Sequence, residues 1–328
     1  MQTNNEPIES SDELVKQGVA AHQAGDLEEA ARLYLAALDL DADNASAHNN
    51  LGFVLGQQQQ WPEAQSHLRS ALRLNPQMSM AHCNLGQVLV STGKTAEGLT
   101  HLEQAVACEP GNVIAWDNLA RIRILLAQFE GGEYAATRAL KLQPRDPHLL
   151  TRLGIAVAAQ KRFGEAVQHY QHALSLDPNH QEAWAQLGIV RFLRNDFGSA
   201  REALENALAL NPGDTNALRH LALVNLSLGH QDAAVAGFEL LLELKQEDDG
   251  SRLDLAVILL SQAQPENALR HLEQIAGELR QTPQFSFYFG LALQQNGQHE
   301  AGLALLREVA RNTSDAYGEQ ARRMLLVN

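Results

Sequence analysis

The amino-acid sequence predicts an all-α solenoid built from tandem helix-turn-helix hairpins. Three observations carry this prediction: the 328 residues align with themselves in rows of 34, small residues recur at two fixed places, and glycine and proline recur where helices would end. No insertion or deletion is needed to align nine rows, which open at 11, 45, 79, 113, 147, 181, 215, 249 and 283. A repeat of this length cannot bury its apolar face alone, so neighbouring rows are expected to stack over a shared core.

The eighth and twentieth places of every row, counted from its first residue, hold only glycine or alanine. The eighth place is Gly18, Gly52, Gly86, Ala120, Gly154, Gly188, Ala222, Ala256 and Gly290. The twentieth is Ala30, Ala64, Gly98, Gly132, Ala166, Ala200, Ala234, Ala268 and Gly302. Small residues on two helices let their backbones approach closely where they cross. These places therefore predict the crossing point of a helical hairpin in each row.

Apolar and helix-ending residues also fit two helices per row. The seventh place is Leu or Phe in eight rows, with Gln17 as the exception. The first helix is expected to end in a left-handed cap at Gly25, Gly93, Gly229 and Gly297. The second helix is expected to stop before Pro76, Pro110, Pro144, Pro178 and Pro212. The next first helix can then be capped by Asn44, Asn112, Asp146, Asp214 and Asp248.

Two segments carry a family resemblance. Trp116-Asp117-Asn118-Leu119 and Trp184-Ala185-Gln186-Leu187-Gly188 resemble the Trp-x-x-Leu-Gly opening of the tetratricopeptide repeat family, and Ala166, Tyr170 and Pro178 match the rest of its pattern. The resemblance covers residues 11–316 and implies a right-handed superhelix in which first helices line a concave wall. Residues 1–10 are predicted to be a polar tail, and residues 317–328 a helix that caps the last hairpin.

Composition limits the partners. A net charge of -14 argues against nucleic acid and anionic lipid as sequence-independent ligands, because both need a positive field. Cys83 and Cys108 have no metal-ligand spacing and are expected to be free thiols. The first ten residues lack the features of a secretory signal, and no later segment approaches a membrane span. We therefore expect a cytoplasmic protein with no nucleic acid bound and no membrane insertion.

No pattern points to catalysis. Gly93-Lys94-Thr95 resembles the end of a phosphate-binding loop, but Val88 stands where that motif needs its first glycine. The twenty-third place is histidine in four rows, at His67, His101, His169 and His271. Equivalent residues of packed helices lie ~8–10 Å apart, whereas zinc ligands lie ~2.0–2.1 Å from the metal. The sequence thus predicts no catalytic residue, no metal and no cofactor.

The first half of the predicted concave wall is polar. The sixth place of rows two to four is Asn50, Asn84 and Asn118, and Arg121 lies at the ninth place of row four. These asparagines resemble the ladder in the superhelical arm of O-linked N-acetylglucosamine transferases, which holds the backbone of an extended peptide; an amide can both donate and accept. Asparagine is also commonplace here in the family, so a structural role is the alternative. The sixth place becomes Arg152 in row five, which limits the resemblance.

The second half of the wall turns apolar at the ninth and twelfth places. The candidate partner-binding residues here are Ile155, Ile189, Phe192, Leu226 and Leu260. If exposed, they form a continuous stripe that could seat a helix or a hydrophobic peptide. If they are buried between neighbouring first helices, they are ordinary core.

The function predicted from these features is that of an adaptor or assembly scaffold that holds a peptide or helix of a partner protein in its concave groove. The groove has no reaction chemistry, so the chain is expected not to be an enzyme. One alternative is a structural scaffold that forms homo-oligomers, which mass measured against concentration would reveal. Another is the targeting or substrate-binding subunit of a separate enzyme such as a glycosyltransferase, whose catalytic chain would co-purify.

Overall fold

The structure is a computed structural model that describes residues 10–313 and 315–327. Over this part of the chain it contains nineteen α-helices, one 3₁₀ turn and no β-strand, which confirms the predicted all-α fold. The helices are α1 Ser11–Gln23, α2 Leu27–Leu40, α3 Ala45–Gln57, α4 Trp61–Leu74, α5 Ser79–Ser91, α6 Thr95–Cys108, α7 Val113–Leu125, α8 Phe129–Leu142, α9 Pro147–Ala159, α10 Phe163–Leu176, α11 Gln181–Leu193, α12 Phe197–Leu210, α13 Thr215–Ser227, α14 Gln231–Leu244, α15 Asp249–Ser261, α16 Pro265–Gln274, α17 Pro283–Gln295, α18 His299–Asn312 and α19 Ala316–Val327.

The chain divides into two compact units, of which unit 1 ends at Pro178 and unit 2 begins at Asn179. Consecutive helices pair as hairpins in both units, and the first helix of each hairpin begins at the opening residue of a 34-residue row. Each hairpin also packs against the next hairpin of its own unit. Each unit is therefore a stack of hairpins around its own core.

The eighth place of a row is a close crossing of the two helices. A Cβ added to Gly52 would lie 2.6 Å from Leu68 Cγ, and one added to Gly86 would lie 2.8 Å from Leu102 Cγ. In row five, Gly154 is covered in the same way by the ring of Tyr170, which is fully buried. The large residue at the twenty-fourth place thus fills the space that glycine leaves, so both residues are needed for one contact.

The link between the two helices is the same in every row. The fifteenth place has positive φ in all nine rows, at Gly25, Gln59, Gly93, Ala127, Lys161, Asn195, Gly229, Ala263 and Gly297. The next residue donates its N–H to the carbonyl five residues earlier, as Gln128 does to Arg123 at 2.8 Å. This is the left-handed helix cap of a Schellman motif. Only the glycine members were predictable from sequence, because five rows place an L-residue in a conformation that disfavours it.

Side chains cap the start of several first helices. Asn44 Oδ1 accepts from the Ala47 N–H at 2.9 Å, and Asn112 Oδ1 accepts from the Ala115 N–H at 3.0 Å. Each satisfies a backbone donor that has no partner within the helix.

Row eight departs from the pattern. Its second helix, α16, has ten residues, whereas the second helices of the other rows have fourteen. The helix ends because Ile275 adopts an extended conformation and is fully buried. The chain then passes Gly277, whose φ is 61°, and a 3₁₀ turn at Leu279–Gln281 before α17 begins. The place that holds proline in rows two to six is Arg280 in row eight, so no sequence signal marks the change.

The last helix, α19, packs on the final hairpin. Ala321 is fully buried, and the Tyr317 ring centre lies 5.9 Å from the ring centres of Phe287 and Tyr288. Arg322 Nη1 donates to the carbonyls of Ala310, at 2.6 Å, and Thr313, at 3.1 Å. These contacts cover the apolar end of α17 and α18.

Candidate protein-binding walls

Side chains at the fifth and sixth places join neighbouring first helices. In unit 1, Asn84 Nδ2 donates to Asn49 Oδ1 at 3.0 Å, and Asn118 Nδ2 donates to Cys83 Sγ at 3.2 Å. Arg152 Nε continues the series with Asp117 Oδ1 at 3.0 Å. Every pair is 35 residues apart, so the same geometry recurs between successive rows. These bonds fix the faces of α3, α5, α7 and α9 relative to one another; we call this surface the unit 1 wall.

The predicted asparagine ladder is part of this packing. Asn84 is 5% exposed and Asn118 is 7% exposed, and both have their amide N–H groups engaged by the preceding row. Asn50 is half-buried and accepts from Asn49 Nδ2 at 3.0 Å. A side-chain hydrogen bond also links it to the Tyr34 hydroxyl. The amide N–H groups therefore stabilise the stack of hairpins. The Oδ1 atoms of Asn84 and Asn118 remain as acceptors for a ligand.

A cleft of about 420 Å³, open to solvent, lies between α3 and α5 on the unit 1 wall. It is lined by Phe53, Gly56, Gln57, Trp61, Asn84, Gln87, Val88 and Ser91. Its apolar groups lie beside the polar groups of Gln57 and Gln87, a combination typical of sites that take one side chain and fix its backbone. Among these residues only Asn84 is one of the partner-binding candidates predicted from sequence.

Gly56 keeps this cleft open. It occupies the twelfth place, where the neighbouring rows carry His22, Val90 and Ile124. A Cβ on Gly56 would lie 3.2 Å from Val88 Cγ2 and would begin to fill the space. Next to it, the His22 ring packs edge-on against Phe53 with centres 5.3 Å apart, and His22 Nε2 lies 3.0 Å from Gln57 Oε1. A lone glycine among large residues was the sequence signal for the cleft.

Arg121 adds a positive charge to the same wall. It is exposed, and no hydrogen bond or ion pair engages it among the described residues, whereas Arg152 is bonded to Asp117. Partial desolvation and the nearby Arg152 lower the pKa of the Arg121 guanidinium, and Asp117 raises it. Arginine nevertheless stays charged at neutral pH. The Asp117 carboxylate is paired with Arg152 and only lies near Arg121, which leaves this part of the wall with a local excess of positive charge in an acidic protein.

The apolar residues of unit 2 do not form one exposed stripe. Ile189 and Phe192 are half-buried; the Phe192 ring centre lies 5.9 Å from that of Phe197 and 6.2 Å from that of His220. Leu226 is 37% exposed. We call the surface of α11 and α13 that carries Ile189, Phe192 and Leu226 the unit 2 wall.

The prediction that Leu260 is an exposed partner-binding residue is wrong. It is 6% exposed and belongs to a core cluster with Leu255, Leu259 and residues of α17, so it is not open to a partner. The reason is that row nine packs large aromatic side chains against row eight. Ile155, which is half-buried on α9, belongs to unit 1 and extends that wall instead.

The described residues contain no group of three or more His, Cys, Asp or Glu side chains arranged to hold a metal ion. None of the described helices has both the length and the hydropathy that crossing a bilayer requires.

A stack of helical hairpins joined by side-chain bonds, with a cleft on its first helices, defines a helical-repeat protein of the protein-interaction class. Models described as tetratricopeptide repeat match residues 43–108, 118–180, 157–204, 186–250 and 253–317, and a TPR repeat model matches residues 18–59. The chain belongs to the tetratricopeptide repeat family. A comparison with curated proteins found no match.

Solved structures share the fold. A chain of the APC/C hetero-tetramer Cut9-Hcn1 matches with a TM-score of 0.62 and 17% identity over 93% of this chain and 57% of that one. A tetratricopeptide repeat protein from Parabacteroides merdae gives 0.60 and 16% over 76% and 98%. PilF of Pseudomonas aeruginosa gives 0.56 and 20% over 69% and 98%. At identities this low, the matches show a shared fold and nothing more. This chain spans little more than half the length of the Cut9-Hcn1 chain.

Proposed function

We propose that this protein is a protein-binding adaptor or scaffold whose unit 1 wall holds an extended segment of a partner protein. The cleft between α3 and α5 carries the proposal, because an apolar floor with amide groups at its edge suits one partner side chain and its flanking backbone. Burying an apolar side chain there is worth about 1.5–3 kcal/mol before the costs of association.

The neighbouring groups set the rest of the recognition. The Oδ1 atoms of Asn84 and Asn118 can accept from partner backbone N–H groups, and Gln87 can donate as well as accept. Arg121, one row further along the wall, supplies a charge for a partner carboxylate. The partner segment we propose therefore carries an apolar side chain and an acidic residue. Because the cleft is lined mainly by apolar and amide side chains, we propose binding without chemistry.

The unit 2 wall is a second surface on which a partner could bind. Leu226 is open to solvent and the half-buried Phe192 and Ile189 lie on the same first-helix faces of rows six and seven. Such a patch suits the apolar face of a partner helix.

Site-specific photo-crosslinking tests the unit 1 wall. A photoreactive amino acid at Gln87, expressed in the native cell, is expected to capture a partner that mass spectrometry identifies. The same group at Thr100, which is exposed on α6, is the control and should not capture that partner. Capture of only a second copy of this chain would support the self-associating scaffold instead. Capture of a catalytic chain would support the targeting-subunit alternative.

Two substitutions then connect the captured partner to the cleft. Gly56→Val copies Val90 of the next row and fills the cleft, so it should weaken partner binding at least tenfold, or about 1.4 kcal/mol. Gly164→Val is the matched control, because a Cβ at Gly164 meets no atom within 4 Å. Equal affinity of the two variants would refute the cleft as the site.

A further inference from the structure

Row four carries a group of basic residues near the end of its second helix, α8. Its twenty-sixth, twenty-ninth and thirty-third places are Arg138, Lys141 and Arg145, and no other row has Lys or Arg at more than one of these places. Rows one, seven and nine have two acidic residues each there. Helix C-termini favour cations, which explains Lys141 in the last turn of α8 but neither arginine.

An indole ring lies beside these cations. The fourth and twenty-third places of a row face each other inside the hairpin, as His48 and His67 do in row two, where their Nδ1 atoms lie 2.9 Å apart. In row four the two places are Trp116 and Ala135, and the small alanine leaves space for the indole. The Trp116 ring packs edge-on against Tyr134, with ring centres 5.9 Å apart.

The indole holds Arg138 in position while the donors of Arg138 stay unused. Trp116 is 7% exposed, and its Nε1–H donates to the Pro110 carbonyl at 2.9 Å, which fixes the ring. Arg138 Cζ lies over this ring, 5.4 Å from its centre, in a cation–π contact. The Arg138 N–H groups form no hydrogen bond or ion pair among the described residues. Arg138 is therefore a pre-ordered guanidinium fork, the geometry that matches a carboxylate.

Exposed apolar groups accompany the cations. Tyr134 is 57% exposed and Leu142 is 42% exposed. The linker after α8 forms an open hollow of about 800 Å³, lined by Gln143, Pro144, Arg145, Asp146, Pro147 and His148. Tyrosine, tryptophan and arginine are the residue types that most often dominate the binding energy of an interface. We call the surface that carries Tyr134, Arg138, Lys141, Leu142 and Arg145 the row four face.

We infer that the row four face binds an acidic peptide segment of a partner protein, on a surface separate from both walls. A partner carboxylate accepts two N–H groups of Arg138, and a second carboxylate lies near Lys141 and Arg145. An apolar side chain between them packs on Tyr134 and Leu142. The net charge of -14 repels a long polyanion such as nucleic acid, whereas a short segment responds to charges within a Debye length of about 8 Å.

The experiment uses the full chain and a defined probe. The probe is the peptide Gly-Ser-Asp-Glu-Leu-Asp-Glu-Ser-Gly with a rhodamine label, and its neutral counterpart has Asn and Gln in place of Asp and Glu. Fluorescence anisotropy is measured over a range of salt concentrations. The wild-type chain is expected to bind the acidic peptide, more weakly as salt rises, and not to bind the neutral one.

Variants localise the binding. R138Q/K141Q/R145Q should weaken the acidic peptide more than tenfold, because it removes the three cations. The control K94Q/R194Q/R307Q also removes one lysine and two arginines, which are exposed and form no ion pair among the described residues, and should change affinity less than about threefold. Tyr134→Ser should weaken the probe but not a version of it with Ser in place of Leu. Circular dichroism checks that all variants fold.

Four outcomes would overturn the inference. One is absence of binding by the wild type at low salt, and another is an equal loss in the two triple variants. A third is a loss of binding in R121Q with none in R138Q/K141Q/R145Q, which would place the peptide on the unit 1 wall. Tighter binding of a labelled oligothymidine than of the acidic peptide would point to nucleic acid instead.

Discussion

The histidine pair of row two makes a quantitative prediction about hairpin stability. The His48 Nε2 lies 3.1 Å from the Ala42 carbonyl, which can only accept, so Nε2 carries the proton of the neutral ring. His48 Nδ1 is then an acceptor, and the His67 Nδ1–H is its donor at 2.9 Å. Row one shows the apolar alternative, because Leu14 and Leu33 fill the same two places and are each 7% exposed. The perturbation is the set H48L, H67L and the double variant.

The structure sets the expected magnitudes. H67L removes one donor and should cost about 0.5–1.5 kcal/mol of unfolding free energy. H48L leaves the half-buried His67 N–H without an acceptor and should cost about 1–3 kcal/mol. The double variant restores the pair found in row one, so it should lie within about 1 kcal/mol of the wild type. The summed single costs are about 1.5–4.5 kcal/mol, so the coupling energy is expected to be at least about 0.5 kcal/mol and about 2 kcal/mol or more at mid-range, above the ~0.3–0.5 kcal/mol scatter of additive pairs.

Hydrogen exchange of the α3 and α4 amides measures this coupling locally, and urea unfolding of the full chain measures it globally. H82L/H101L repeats the test in row three, where the geometry is the same. If the single costs simply add in the double variant, the imidazoles do not interact and the argument fails.

The same pairs predict a pH dependence. Burial, and then the charge of the paired histidine, lowers the pKa of His67 and of His101. A lowered folded-state pKa means that the unfolded chain binds more protons below its own histidine pKa of about 6.5. The contribution of the histidine pairs to the free energy of unfolding should be fully present above about pH 6.5 and should fall as the pH drops below that value. The quadruple variant H48L/H67L/H82L/H101L should show a shallower decline than the wild type, and an unchanged slope would refute this.

Three further outcomes are expected. Ala127→Gly should stabilise the protein by up to about 1 kcal/mol, because Ala127 has a φ of 56° and a left-handed L-residue costs about 1–2 kcal/mol; a loss of stability in thermal unfolding would contradict this. Deleting residues 316–328 should lower the melting temperature or cause association, because it uncovers the aromatic end of α17, and calorimetry with light scattering would detect either effect. Leu226→Arg should weaken any helix bound to the unit 2 wall more than tenfold without changing the melting temperature, since Leu226 is 37% exposed, whereas a sharp drop in melting temperature would show that Leu226 is core.

The candidate site was only partly predictable. Asn84 and Asn118 were identified from their place in the row, but their burial follows from partners 35 residues earlier, Asn49 and Cys83, which a sequence pattern does not connect. Leu226 and Leu260 hold the same place in successive rows, yet one is exposed and the other is core. The difference arises because residues of row nine pack against Leu260. The repeat pattern alone does not predict this packing.

Local sequence signals are enough to predict the helices of this protein. The 34-residue period, the small eighth and twentieth places and the end signals specify the helical hairpins because they act through local backbone geometry and through contacts inside one row. The openings on the surface that a partner could use follow instead from how the helices pack. The cleft depends on the absence of a side chain at Gly56 beside Val88 of the next row. The cleft is a gap between helices, and such a gap is set by how far neighbouring rows fill the space they share.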